Sequence, residues 1–177
     1  MSAASEFHTH GFGPVYDQNS RILILGSFPS VKSRAVNFYY GHPKNRFWPL
    51  ISKLTGEPLP ESTEEKRALV LKHGIALWDS IERCEITGSS DASIKNVVPV
   101  DISLITSAAQ IRIIACNGAA SRKYYDKYLR GITGQEAVKL PSTSPANAAW
   151  SFDRLFEAWH DALGEYLDPD PPPRENR

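Results

Sequence analysis

"RILILGSFPS", residues 21–30, is an aliphatic run that stops at a glycine and a serine. Apolar side chains without polar alternation predict a strand buried on both faces, and the small-residue end predicts a turn at its carboxyl edge. Working outward, shorter versions of the same pattern return as "IALWD" (75–79), "IRIIACNG" (111–118) and "AVKLPSTSP" (137–145). Helical periods lie between them. Phe47, Leu50, Ile51 and Leu54 share one helix face that Gly56 ends. Ser62 and Glu65 form a capping box for "STEEKRALVLKHG", with Gly74 placed to stop it. Asp101 caps a short helix, "AASRKYYDKYLRG" follows the third strand, and Phe152, Leu155, Phe156, Trp159 and Leu163 draw a last apolar stripe, with Asn147 or Ser151 at its start. Strands alternating with helices predict an α/β fold whose parallel sheet is covered on both faces. Ligands in such folds bind outside the carboxyl ends of the strands. Those ends read "GSFPS", "LWD", "CNG" and "PSTSP", all small or polar, and the site is expected there.

The 177 residues fit one domain, expected over residues 19–166, between an irregular arm (1–18) and a proline-rich disordered tail (167–177). With 41% hydrophobic and 23% charged residues the composition is that of a soluble globular protein. No apolar run reaches the roughly 20 residues of a membrane span. The N-terminus lacks a secretory layout, and two cysteines suit free thiols in a reducing cytoplasm. Net charge is zero, so any surface for a polyanion must be a local patch.

"YYGHPKNRFWPLI", residues 39–51, crowds polar and aromatic chemistry at the entrance of a helix. Asn45 reads as the N-cap of that helix, which explains neither the two tyrosines nor the His-Pro pair. Aromatic rings beside Lys32, Arg34, Lys44 and Arg46 are what a protein uses to stack a base and hold phosphates; a solvated basic face is the plainer reading. The serine–proline loop after the fourth strand can press on a sugar–phosphate backbone or be an ordinary capped turn. The glycine turn after the first strand is neither a Walker loop nor a dinucleotide fingerprint. His8 and His10 are spaced like metal ligands but have no third ligand nearby. Serines 142 and 144 with His160 lack a nucleophile-elbow pattern. Cys116 reads as a buried thiol, and Tyr124, Tyr125 and Tyr128 as helix packing. The polar loop 88–96 is expected to help line the site through Asp91, or to be self-capped.

Together, "LILGSFPS", "FYYGHPKNRFWPLI", "GIALWDSIERCEITGSSDASI" and "LPSTSPANAAW" resemble the uracil-DNA glycosylase superfamily, and most nearly its hypoxanthine (deoxyinosine) DNA glycosylase branch. The resemblance runs from about Gly11 to Leu163. It implies a three-layer α/β/α sandwich with a central four-stranded parallel sheet, in agreement with the pattern above. It also implies roles. Mismatch-specific uracil relatives hold the water-positioning asparagine in the turn after the first strand, where this chain has Phe28. In the hypoxanthine branch that asparagine lies in a His-Pro-x-Asn motif, here Asn45. Tyr40 matches the aromatic that stacks on the extruded base, with Ser27 and Phe28 also on the base side. Asp79 falls where relatives carry a base-reading residue, usually asparagine. The loop from Pro141 to Trp150, with Ser142, Thr143, Ser144, Pro145 and Asn147, matches the one that pinches the strand. Lys32, His42, Lys44 and Arg46 are the expected phosphate contacts. Fast uracil relatives carry a histidine in that loop, replaced here by serines.

The implied activity is monofunctional hydrolysis of deaminated bases from DNA, foremost deoxyinosine, by base flipping and water attack. No cofactor or metal is expected, no membrane, and a monomer acting on cytoplasmic (nucleoid) DNA. Breaking the bond from C1′ to the base nitrogen passes through an oxocarbenium-like state, so the water needs orientation more than deprotonation, which a neutral amide can supply. Lys44 suggests a rival, attack as an amine with lyase activity, disfavoured because an exposed lysine is protonated. Other readings are a mismatch-specific uracil or thymine glycosylase, a non-catalytic binder of damaged DNA, or a phosphate- or sugar-binding module.

Overall fold

The computed structural model describes residues 4–167, so nearly all of the expected tail lies outside the described residues. In chain order the strands are β1 (Glu6–Thr9), β2 (Ile22–Gly26), β3 (Ile75–Asp79), β4 (Ile81–Ile86), β5 (Lys95–Pro99), β6 (Ile113–Asn117) and β7 (Ala137–Leu140). The helices are α1 (Val31–Val36), α2 (Phe47–Thr55), α3 (Thr63–Lys72), α4 (Ser103–Thr106), α5 (Ala119–Tyr124), α6 (Arg130–Thr133) and α7 (Phe152–Leu167). A π turn, Tyr125–Leu129, joins α5 to α6. Among the described residues no helix is long and apolar enough to cross a membrane.

Four strands form an all-parallel sheet in the order β3-β2-β6-β7, the four read from the sequence. β2 and β3 are buried at every position, which requires cover on both faces and accounts for their unbroken apolar text. α2 and α7 pack together through Phe47 and Trp159, and α5 lies against β2, β6 and β7. The chain leaves β2 for a neighbour on one side and returns to place β6 on the other. That reversal opens a crevice beyond the carboxyl end of β2.

Local stop and start signals behave as expected. Gly56 ends α2 in the left-handed conformation. Ser62 accepts from the Glu65 amide at 3.0 Å, while the Glu65 carboxylate reaches the Glu61 amide at 2.8 Å instead of that of Ser62. Asp101 accepts from the Ser103 amide, and Ser151, not Asn147, caps α7. Cys84 and Cys116 are free and buried, and burial pushes both thiols up to about 11.

The N-terminal arm is not irregular throughout. β1 pairs antiparallel with β4, and β4 with β5, making a second, three-stranded sheet. Phe28, Ile81, Cys84, Ile86 and Tyr124 form its own small apolar cluster. Val15 then pairs with Leu77 through reciprocal backbone bonds of 2.9 Å and covers the outer edge of β3. This sheet escapes a periodicity reading for a physical reason. Register shifts on either side of Arg83 break the alternation of β4, and β1 and β5 are largely exposed.

Candidate active site

Three strand ends and one loop enclose a cavity of about 140 Å³, lined by Gly26, Asp79, Asn117 and residues 142–144 among others. That is well below the roughly 300–1,000 Å³ of sites for drug-sized ligands, so it suits one ring system. Gly26 is required by a close approach. A Cβ there would sit 2.2 Å from Asp79 Oδ1 and 3.6 Å from the Tyr40 hydroxyl. Asn117, at the end of β6, clamps the loop from both ends of its amide. Its Oδ1 accepts from the Thr143 amide and its Nδ2 donates to Thr143 Oγ1, each at 3.0 Å. Thr143 is thereby fully buried.

Phe12, Phe28, Tyr39 and Tyr40 form the aromatic walls. Tyr40 adopts φ +54°, a left-handed conformation that is rare for a bulky residue and tends to be kept where a site needs it. Its ring stacks on Phe47, with centroids 3.9 Å apart and planes 24° from parallel. Its buried hydroxyl faces Asn117 yet completes no hydrogen bond among the described residues. Two bonds hold the adjoining backbone. Trp48 Nε1 donates to the Tyr39 carbonyl at 3.1 Å, and the Tyr39 hydroxyl donates to the Gly13 carbonyl at 2.9 Å. Gly41 packs so closely on α1 that a Cβ would meet Val36 Cγ2 at 2.7 Å.

The N-cap of α2 is Arg46, one residue past the expected Asn45, but the Asn45 side chain still bonds the helix start. The Asn45 amide donates to the His42 carbonyl at 2.9 Å, closing a turn in which His42 Nδ1 accepts from the Lys44 amide at 3.1 Å. Its Oδ1 accepts from the Phe47 amide, the first of α2, at 2.9 Å. The side chain is half-buried and also lines the cavity. A carbonyl oxygen has two lone pairs, so that bond leaves one for a water. The helix start therefore fixes the amide at the rim of the cavity.

The expected phosphate contacts divide. Lys32 and Lys44 are exposed, His42 is half-buried, and none of the three lines the cavity. Arg46 is turned toward the loop after β7. Its backbone donates to the Thr143 carbonyl, and its guanidinium donates to the carbonyls of Ser144, Asn147 and Trp150. The reason is geometric: a planar fork with five donors satisfies several diverging carbonyls at once. Asn147 likewise serves the loop, donating to the Ser142 carbonyl at 2.9 Å, while Pro145 is exposed at the tip. Arg46→Ala is expected to cost about 2–3 kcal/mol in thermal unfolding, the scale of hydrogen bonds to a charged group. Amides 144–150 should lose protection in hydrogen exchange, and Arg46→Lys should recover only part of it. Unchanged exchange would mean that the loop holds its shape without this residue.

Ser27 and Asp91 both line the cavity. Ser27 Oγ donates to Asp91 Oδ1 at 2.7 Å, and burial raises the Asp91 carboxyl above the usual range. The guanidinium of Arg34 lies 5.5 Å over the Phe28 ring and donates to the Gly88 carbonyl. His8 and His10 are not brought together. His8 sits 3.6 Å from Glu6, while His10 is buried with Nε2 2.7 Å from Asp79 Oδ2 and Nδ1 against the Phe12 carbonyl. Burial works against the His10 imidazolium, but Asp79 and the Phe12 carbonyl outweigh it and raise its pKa above the ordinary histidine value. His10 was marked only by its metal-ligand spacing from His8, and nothing in the "HTHGF" text marked Phe12. A larger groove of about 560 Å³ lies at the opposite, amino-terminal ends of the strands and holds none of the expected site residues.

The model of the uracil DNA glycosylase superfamily matches residues 14–163. A Methanosarcina acetivorans protein named hypoxanthine DNA glycosylase is 40% identical over 149 residues, 83% of this chain and 93% of its own. A Methanosarcina barkeri protein of the same name is 37% identical over 139 residues, 77% of this chain and 87% of its own. The solution NMR structure of a Methanosarcina acetivorans protein, provisionally assigned as a uracil DNA glycosylase, superposes with a TM-score of 0.78. That pair is 34% identical and covers 92% of this chain and 100% of the other.

Proposed function

The chain belongs to the uracil DNA glycosylase superfamily, and from that premise we propose that it is a DNA repair glycosylase releasing hypoxanthine from deoxyinosine in DNA. The observation that carries the reading is a ring-sized aromatic cavity at the strand ends with Asn45 and Asp79 both in its lining. The names of the two Methanosarcina relatives support the choice of base.

In this mechanism the nucleotide swings out of the duplex, at a cost of a few kcal/mol that is least for a mispaired base. Stacking on Tyr40 and Phe28 returns about 1–3 kcal/mol. Asp79 reads the edge of the base. Asn45 directs a water onto C1′ as the glycosidic bond lengthens toward an oxocarbenium-like state. Negative charge gathers on the departing base, and fixed dipoles around the cavity stabilise it. Hypoxanthine leaves more readily than adenine because its lactam disperses that charge. The loop clamped by Asn117 and Arg46 would press on the strand, while Lys32, His42 and Lys44 meet phosphates outside the cavity. Lys44 is exposed and outside the cavity lining, so it is placed to meet phosphate and not to attack C1′.

The test is a labelled duplex carrying a single deoxyinosine, incubated with the protein and then cleaved with alkali. Cutting at the inosine beyond one product per protein is expected, with a matched adenine duplex left intact. Parallel duplexes carry uracil, xanthine or a thymine mispair. Faster release of uracil than of hypoxanthine would reassign the substrate, and no release from any duplex would reduce the protein to a binder. Borohydride should trap no covalent adduct.

A further inference from the structure

His10 stands outside every residue assigned above, yet it is nearly inaccessible (1% exposed) and bonded to the carboxylate at the base-reading position. It lies just beyond β1 and is held there by its backbone, whose amide donates to the Glu82 carbonyl at 2.7 Å. The rings of Phe12, Tyr39 and Phe28 surround it, with centroids 4.5, 5.8 and 6.4 Å away.

The hydrogen-bond pattern fixes its protons. A backbone carbonyl can only accept, so Nδ1 facing Phe12 carries a hydrogen. At 2.7 Å the Nε2–Oδ2 contact also needs a proton between its atoms, since two lone pairs would repel there. The pair thus has no net charge, and its polar form is an imidazolium beside a carboxylate. The other oxygen, Oδ1, has no hydrogen-bond partner among the described residues and borders Gly26 in the cavity lining.

We infer that His10 is a positioning residue that neutralises Asp79 in place, so that Oδ1 can accept the ring N–H of a lactam base without opposing the charge that base acquires as it departs. The inference rests on the glycosylase reading. Hypoxanthine presents such an N–H, whereas adenine offers a lone pair at the same ring position. An unpaired carboxylate would bind the same N–H in the ground state but repel the transition state, the opposite of what catalysis requires. With His10 opposite, the two charges cancel and only the acceptor is left facing the base. The other charged or titratable groups acting on the pair are Glu82 on β4, which favours the imidazolium, Asp91, whose carboxyl bonds Ser27, Tyr39, which gives its hydroxyl to Gly13, and Tyr40.

A double-mutant cycle tests it on the inosine duplex under single-turnover conditions. His10→Leu and His10→Gln are each made with Asp79 and with Asp79→Asn. Gln keeps a donor toward Asp79 without the charge, which guards against misfolding of the Leu variant. With Asp79 present, either change should slow release about 10²-fold, the scale of one lost preorganised electrostatic contact. With Asp79→Asn the same changes should cost less than about 5-fold, because no charge remains to cancel. Equal losses in both backgrounds would show a merely structural role and overturn the inference. Nitrogen-15 NMR gives a readout free of activity: both His10 nitrogens protonated at neutral pH in the wild type, and Nε2 unprotonated in Asp79→Asn. A wild-type ring protonated on Nδ1 alone would also overturn it. A wild type that releases a different lactam base carries the cycle over to that base. One that releases none while the NMR pattern holds would sink the glycosylase reading first, and the base-reading role with it.

Discussion

Asn45→Ser should slow hypoxanthine release about 10²–10³-fold while leaving the fold and DNA binding close to wild type. The size follows from losing one fixed polar group that acts on the reacting centre. Serine is the informative replacement because Asn45 has two tasks. Its Oδ1 holds the first amide of α2, that of Phe47, and a serine oxygen can keep that bond. Asn45→Ala removes both, and should add a stability loss of about 1 kcal/mol from the missing hydrogen bond. Thermal melts with single-turnover rates separate the two effects. If Asn45→Ser retains full activity, the amide only holds the helix start, and the water must be held elsewhere.

Gly26→Ala is the second large effect, and it acts with no change of charge. The new Cβ would fall 2.2 Å from Asp79 Oδ1, inside any allowed contact. Asp79 cannot simply swing aside, because Oδ2 is bound to His10 and the residue is almost fully buried. Either the carboxylate shifts or β2 moves at its carboxyl end. A displacement of about 1 Å at a reacting site can cost 10²-fold in rate, and that is the expected loss in kcat/KM. Overpacking of this kind costs about 1–3 kcal/mol in stability, enough to read in a melt but not to unfold the domain. Wild-type turnover in this variant would mean that the placement of Asp79 does not limit the reaction.

Legibility differed from residue to residue. Asn45 was readable as the start of α2, one residue early, because its turn, its bond to Phe47 and its aromatic neighbours lie within a few positions in the chain. Asp79 was readable as a polar residue closing an apolar strand. Arg46 was misread, because a basic side chain among aromatics looks the same in text whether it meets phosphate or protein carbonyls. Its carbonyl partners lie about a hundred positions away. Asn117 was visible as part of a strand end, but its grip on Thr143 depends on β6 and β7 being neighbours.

The sequence by itself determined the four parallel strands, most helix limits, and the end of the sheet where polar side chains gather. Those are set by burial and by backbone capping, both of which leave a short-range period or punctuation in the chain. Only the tertiary structure decided that the arm supplies β1 and His10, that a second sheet backs Phe28, and that Arg46 serves the loop. Each depends on side chains meeting across long stretches of chain. An apolar period records that a residue is buried but carries no label for what lies against it.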